Sequence, residues 1–237
     1  ITPTRIYYGM FKLGHVLSFM LPPFFYKTLA EWGELFYAIS ETVAMAFMGT
    51  LLASIISMVL GFSGARNIVG FLPFHFTIRR SFDVLRALEQ LILALIFIRA
   101  FGLGPLAGIF AITISDCGSL SKLYAEAIEN VDNKPIEGLK SSGASRFQVM
   151  RLSILPQVLP VMISNSLYFL ESNTRTATIL GIVGAGGIGF LLDERIRANM
   201  WDEVMTIVIM LLVTVALIDN LSRFLRMKVI GKHDELS

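Results

Sequence analysis

From Thr42 to Leu60 the chain runs nineteen residues without a charged side chain. A helix that crosses a bilayer needs roughly 20 mostly apolar residues, and this stretch supplies them. It has company. Phe101–Ser115 is uncharged and can continue past Asp116 to Leu123. Ile154–Leu170 is uncharged, with Pro156 and Pro160 near its start, and Val204–Ile218 can run past Asp219 to Leu225. Ala87–Ile98 is apolar except for Glu89 and Gln90, and reaches spanning length if the helix starts near Ser81. Composition agrees: 54% of residues are hydrophobic and only 16% charged, against about 25% charged in a soluble domain. A net charge of +2 gives no reason to expect a nucleic-acid partner. Cys117 is the single cysteine, and His15, His75 and His233 lie far apart. No internal disulfide, thiolate cluster or histidine metal motif follows from them.

Thr176–Leu192 decides the topology. It is uncharged, but carries Gly181, Gly184, Gly186, Gly187 and Gly189. If it does not cross, five spans remain and the two ends of the bundle lie on opposite sides. The segments Phe62–Arg80, Lys122–Arg151 and Arg223–Lys232 then share one side with twelve Lys/Arg, against seven on the other. An excess of Lys/Arg marks the cytoplasmic side. The glycine-rich run therefore reads as a re-entrant or external gate element, since non-helical backbone at membrane depth needs cover from protein or a water-filled cavity. The expected architecture is an all-α, polytopic five-span bundle over residues 35–228. Residues 1–34 form an N-terminal segment in which Val16–Tyr26 reads as an interfacial helix and loop. Tyr7-Tyr8 and Phe24-Phe25-Tyr26 suit an aromatic belt. The chain opens on Ile1, so further residues are expected upstream. Residues 229–237 form a cytoplasmic tail.

The loop over residues 126–156 is the most informative segment. Asp132 or Asn133 can cap a helix, Pro135 fits its first turn, and Glu137 suits the positive end of the dipole. Gly143 provides a stop. Ser145-Arg146-Phe147-Gln148 has the spacing of a capping box that opens a second helix, which runs into Leu155-Pro156 and the next span.

These residues carry a family resemblance. Glu137-Gly138-Leu139-Lys140-Ser141-Ser142-Gly143-Ala144, followed by Leu155-Pro156, resembles the "EAA" loop of ABC-importer permeases. Gly138 and Leu139 stand where that pattern has two alanines, and Ser153 where it has an aliphatic residue. The stretches Glu126–Asp132, Pro156–Pro160, Glu171–Thr178 and Val183–Gly189 resemble the phosphonate-importer branch. The resemblance implies a permease in the bacterial inner membrane, working as a homodimer with the pathway between the copies. It implies a cytoplasmic ATPase dimer and an external substrate-binding protein as partners. ATP and Mg would sit on the ATPase, with no cofactor on this chain and no hydrolysis by it. It assigns ATPase coupling to Glu137, Gly138, Leu139, Ser142, Gly143, Ala144 and Arg146. Glu89, Glu171, Ser172, Asn173 and Arg175 are candidates for the substrate pathway, where an arginine fork would match an oxyanion. Gly184, Gly186, Gly187 and Gly189 are candidates for the gate, where small residues let two copies approach closely.

Plainer readings stand beside these. Glu171 and Arg175 have helical i,i+4 spacing and can simply pair, as can Asp219 and Arg223; Glu89 lies one turn from Arg86. Gly184–Gly189 fits G-x-G-x-x-G, but a dinucleotide site needs that motif in a βαβ unit, and membrane segments flank it here. His233–Leu236 resembles a retention tetrapeptide, but Ser237 follows it. A secondary transporter would need an inverted repeat with broken helices, and an intramembrane enzyme a nucleophile–base pair or a metal; neither pattern is visible. Within the importers, permeases for methionine or quaternary amines share the coupling loop.

Overall fold

The computed structural model describes residues 3–21, 23–26 and 28–234, and those residues form helices and turns without a strand. In chain order the helices are α1 (Pro3–Met20), α2 (Leu29–Gly64), α3 (Leu72–Ala87), α4 (Gln90–Phe101) and α5 (Pro105–Glu129). There follow α6 (Asn133–Ser141), α7 (Arg146–Val149), α8 (Leu155–Leu180), α9 (Gly187–Arg197) and α10 (Trp201–Asp234). Four helical stretches are long and apolar enough to cross a membrane: Leu29–Gly64, Pro105–Glu129, Arg146–Ala185 and Trp201–Val229. Three contain an apolar run read from the sequence, and Pro105–Glu129 takes in all of Phe101–Ser115 except its first four residues. The third joins α7 and α8 through a π-helical turn at Met150–Ile154, and ends in a second such turn at Gly181–Ala185.

The fifth expected span is built differently. The segment from Ser81 to Ile98 breaks at Leu88 and Glu89, both in extended conformation. α4 is only 12 residues long, about 18 Å. A break at membrane depth exposes backbone groups that need partners. Ser115 supplies one, its hydroxyl donating to the Leu88 carbonyl at 3.1 Å. The structure therefore contains a broken helix where the sequence suggested a continuous one.

The N-terminal helix also differs from expectation. It starts at Pro3 and ends at Met20, and residues 23–26 have no regular secondary structure. That short segment is tied to α10: the Phe24 N–H donates to the Asp202 carbonyl at 3.2 Å and Thr206 Oγ1 to the Phe24 carbonyl at 2.7 Å. The Tyr26 hydroxyl donates to Glu203 at 3.0 Å. Burial, with that hydrogen bond as the next cause, pushes the phenol up to about 12. Pro22, Lys27 and the end of the tail, residues 235–237, lie outside the described residues.

Packing is closest between α2 and α5. A Cβ on Gly49 would meet Ile112 at 2.7 Å, and one on Gly61 would meet Tyr124 at 2.8 Å. Small residues at such contacts let membrane helices pack by van der Waals fit, where lipid offers no hydrophobic drive. The buried apolar residues form three clusters along the bundle. Tyr124, Leu120, Ile128, Val149 and Val158 fill the end next to α6. Met45, Ile112, Leu93 and Leu180 fill the middle. Leu35, Ile188, Leu191 and Ile207 fill the end next to α9.

Candidate functional site

The loop after α5 folds as its sequence dictates. The Asp132 side chain accepts the Lys134 N–H at 3.1 Å and caps α6. Gly143 has φ +82°, a conformation that costs a side-chain-bearing residue about 1–2 kcal/mol, and it turns the chain out of the helix. The Ser145 N–H donates to Gln148 Oε1 at 2.8 Å, while the Gln148 N–H donates back to Ser145 Oγ at 3.4 Å. That is the expected capping box. Helix α6 begins at Asn133, so Glu137 lies in its second turn, with no acidic residue in the first. The dipole reading of Glu137 therefore does not hold. Its side chain is exposed and enters no ion pair among the described residues. Gly138, Ser142, Gly143 and Arg146 are exposed too, whereas Leu139 and Ala144 pack partly buried against the cluster around Tyr124. The seven expected coupling residues thus divide into five outward-facing positions and two anchors. Ile136, buried, and Lys140, one turn on, face a cavity of about 600 Å³ behind the helix.

The five pathway candidates do not form one site. Glu89 is exposed at the helix break, and among the described residues it makes no ion pair with Arg86. Glu171 pairs with Arg226 at 2.6 Å, and Arg175 with Asp219 at 3.4 Å and Glu171 at 3.8 Å. Asp219 therefore pairs across to α8 rather than with Arg223, and these charges join α8 to α10. Ser172 is half-buried on the same helix. Asn173 turns the other way. It is 2% exposed, and its Nδ2 donates to Thr50 Oγ1 at 2.8 Å and to Asp116. Gln90, at the start of α4, donates to Asp116 at 2.8 Å.

So Thr50, Gln90, Asp116 and Asn173 join α2, α4, α5 and α8 in one buried polar junction. Sequence reading singled out Asn173 as a pathway candidate and met Asp116 as the charge that interrupts an apolar run. It missed Thr50, which looks like any small residue of an apolar run, and Gln90, which looked like a blemish in a span. The signal for Gln90 was its place beside Glu89, at the point where the helix breaks.

The glycine-rich run forms a hairpin. Helix α8 ends in the π-helical turn, and the chain reverses at Gly184 (φ +110°) and Gly186 (φ +83°). It then returns as α9. A Cβ on Gly181 would lie 2.5 Å from the Gly186 carbonyl oxygen, and one on Gly189 would fall on the Thr178 carbonyl oxygen. The two arms thus touch backbone to backbone. Each gate glycine meets another segment of the same chain: Gly184 meets Leu103, Gly186 meets Glu41 and Gly187 meets Thr42. The expected approach between two copies is not needed to explain them. Among the described residues no group of His, Cys, Asp or Glu is arranged to hold a metal ion.

Four helical stretches long and apolar enough to span, with an exposed capped loop at one end of the third and a glycine hairpin at its other, make a multi-pass helical membrane protein. The chain belongs to the family described as binding-protein-dependent transport system inner membrane component, whose pattern matches residues 58–230. Among its relatives is the phosphate-import permease protein PhnE of Mycolicibacterium smegmatis, 37% identical over 230 residues. The match covers 97% of this chain but 43% of that protein. The phosphite transport system permease protein PtxC of Stutzerimonas stutzeri is 39% identical over 187 residues, 78% of this chain and 68% of that one. The MetNI methionine ABC transporter in an inward-facing conformation shares the fold, with a TM-score of 0.75 at 22% identity over 85% of this chain and 99% of that one.

Proposed function

We propose that this chain is the non-hydrolytic permease subunit of an ATP-driven importer for phosphonate or a related phosphorus oxyanion, such as phosphite or phosphate. The observation that carries the reading is its likeness to permeases named for phosphate and phosphite at 37% and 39% identity. Two copies would enclose the pathway. The α6 loop would face the cytoplasm, as the twelve Lys/Arg on that side suggest, and dock on a separate ATPase dimer carrying ATP and Mg. An external binding protein would deliver the anion at the hairpin end. Arg175 already has carboxylate partners, so an oxyanion there would compete with Asp219 and Glu171 for its donors.

The test is reconstitution of this permease with its ATPase and binding protein in proteoliposomes. ATP-dependent uptake of phosphonate, phosphite or phosphate, and not of methionine, is the expected outcome. Methionine uptake alone would overturn the substrate class. In the same system Glu137→Ala or Gly143→Leu should lower uptake per ATP hydrolysed, while the subunit still inserts. Normal coupling in both variants at matched expression would exclude α6 as the contact with the ATPase.

A further inference from the structure

Helix α9 starts without a cap of its own. The first N–H groups of a helix have no intrahelical partner, and Gly186, at the capping position, has no side chain to offer. The partners come from α2, 146 residues earlier in the chain. The Gly187 N–H donates to Glu41 Oε2 at 3.0 Å, and the Ile188 N–H to Thr42 Oγ1 at 2.8 Å. The Thr42 hydroxyl hydrogen is committed to the Ala38 carbonyl at 3.0 Å, so its oxygen is held as an acceptor aimed at α9. The Glu41 carboxylate also meets the positive end of the α9 dipole. A Cβ on Gly186 would lie 2.9 Å from Glu41 Oε1, and one on Gly187 would collide with Thr42. The glycines are what let the backbone reach these two side chains.

We propose that Glu41 and Thr42 are positioning residues that latch the hairpin shut, and that opening of this end of the pathway begins when the α9 amides leave them. The proposal rests on the transport reading above. Two further features support release rather than a permanent brace. Glu41 is only half-buried, beside a cavity of about 340 Å³ that also takes in Glu34, Gly184 and Glu194. Water there can replace the lost partners. The hairpin is also the far end of the 40-residue helical stretch Arg146–Ala185, which starts at the capping box after Gly143 and passes through the π-helical turns at Met150–Ile154 and Gly181–Ala185. A displacement of the α6 loop can therefore be carried toward the latch along this one helical stretch.

The experiment is hydrogen–deuterium exchange of residues 184–192 in the nucleotide-free permease–ATPase complex, with ATP turnover measured without the binding protein. In Glu41→Ala/Thr42→Val this segment should exchange roughly tenfold faster, because opening then sacrifices two fewer hydrogen bonds. ATP turnover without the binding protein should rise. Glu41→Gln and Thr42→Ser keep their acceptor oxygens and should restore both readouts to near wild type. If the double variant fails to assemble, Thr42→Ala alone should give the same changes at smaller size. Unchanged exchange in the variants overturns the latch. So does faster exchange with turnover falling, which identifies a mere brace. The exchange measurement needs no substrate, so it stands even if the proposed cargo is wrong.

Discussion

Replacing Gly189 by alanine is expected to abolish transport and to prevent the hairpin from closing. The added methyl would occupy the position of the Thr178 carbonyl oxygen, with Gly181 Cα at 2.9 Å and the Ile182 nitrogen at 3.0 Å on its other sides. All three neighbours are backbone, so no side chain can rotate away. Overpacking in a tight core costs typically 1–3 kcal/mol and occasionally more, and a fixed backbone neighbour places this site at the upper end. α9 can then keep its helix only by moving off α8, which also removes Gly187 and Ile188 from Glu41 and Thr42. Gly33→Ala, exposed on α2 with nothing within 4 Å of its Cβ, is the control and should match wild type. The measurement is uptake in proteoliposomes together with the thermal midpoint of the purified complex. Transport at wild-type rate by Gly189→Ala would mean that the two arms of the hairpin separate in the working protein.

How far the sequence reaches depends on where the determining interaction lies. The turns and caps of the α6 loop, though not the place of Glu137, were legible because their determinants are local. Asp132, Gly143, Ser145 and Gln148 act within three residues of themselves, and each does in the structure what its type and spacing suggest. The apolar runs at Thr42, Phe101, Ile154 and Val204 were legible because burial in lipid imposes length and apolarity on the chain alone. The break at Leu88–Glu89 was not. A polar pair in an apolar run is compatible with a continuous helix until Ser115 and Asp116 are known to lie beside it. The glycines show the same limit. Their density announced close backbone approach, but whether the neighbour was a second copy or Thr178, Glu41 and Thr42 of the same chain is a tertiary fact. Asn173 and Arg175 stand two residues apart and were grouped by sequence. On a helix that spacing sends them to different faces, one into the buried junction and the other onto α10.

Asn173→Leu should therefore be among the most damaging single substitutions in the bundle, and for a structural reason. Asn173 is the member that touches both Thr50 on α2 and Asp116 on α5. Leucine there leaves the buried Asp116 carboxyl group with Gln90 as its remaining side-chain donor among the described residues. Removing one partner of a buried, hydrogen-bonded acid costs about 2 kcal/mol, more than an average interhelical hydrogen bond in a membrane protein, at about 0.6 kcal/mol. Asp116→Asn separates polarity from charge. It keeps the shape but only one acceptor oxygen, so one of the two donors, Gln90 or Asn173, faces an amide NH2, and the loss should be about 1–2 kcal/mol, no larger than that of Asn173→Leu. The check is the unfolding free energy of both variants in detergent with graded denaturant, beside uptake. Equal, small losses would show that the junction does not hold the four helices together. A large loss in Asp116→Asn with little in Asn173→Leu would place the requirement on the acid itself, and give Asp116 a part in transport that packing alone does not explain.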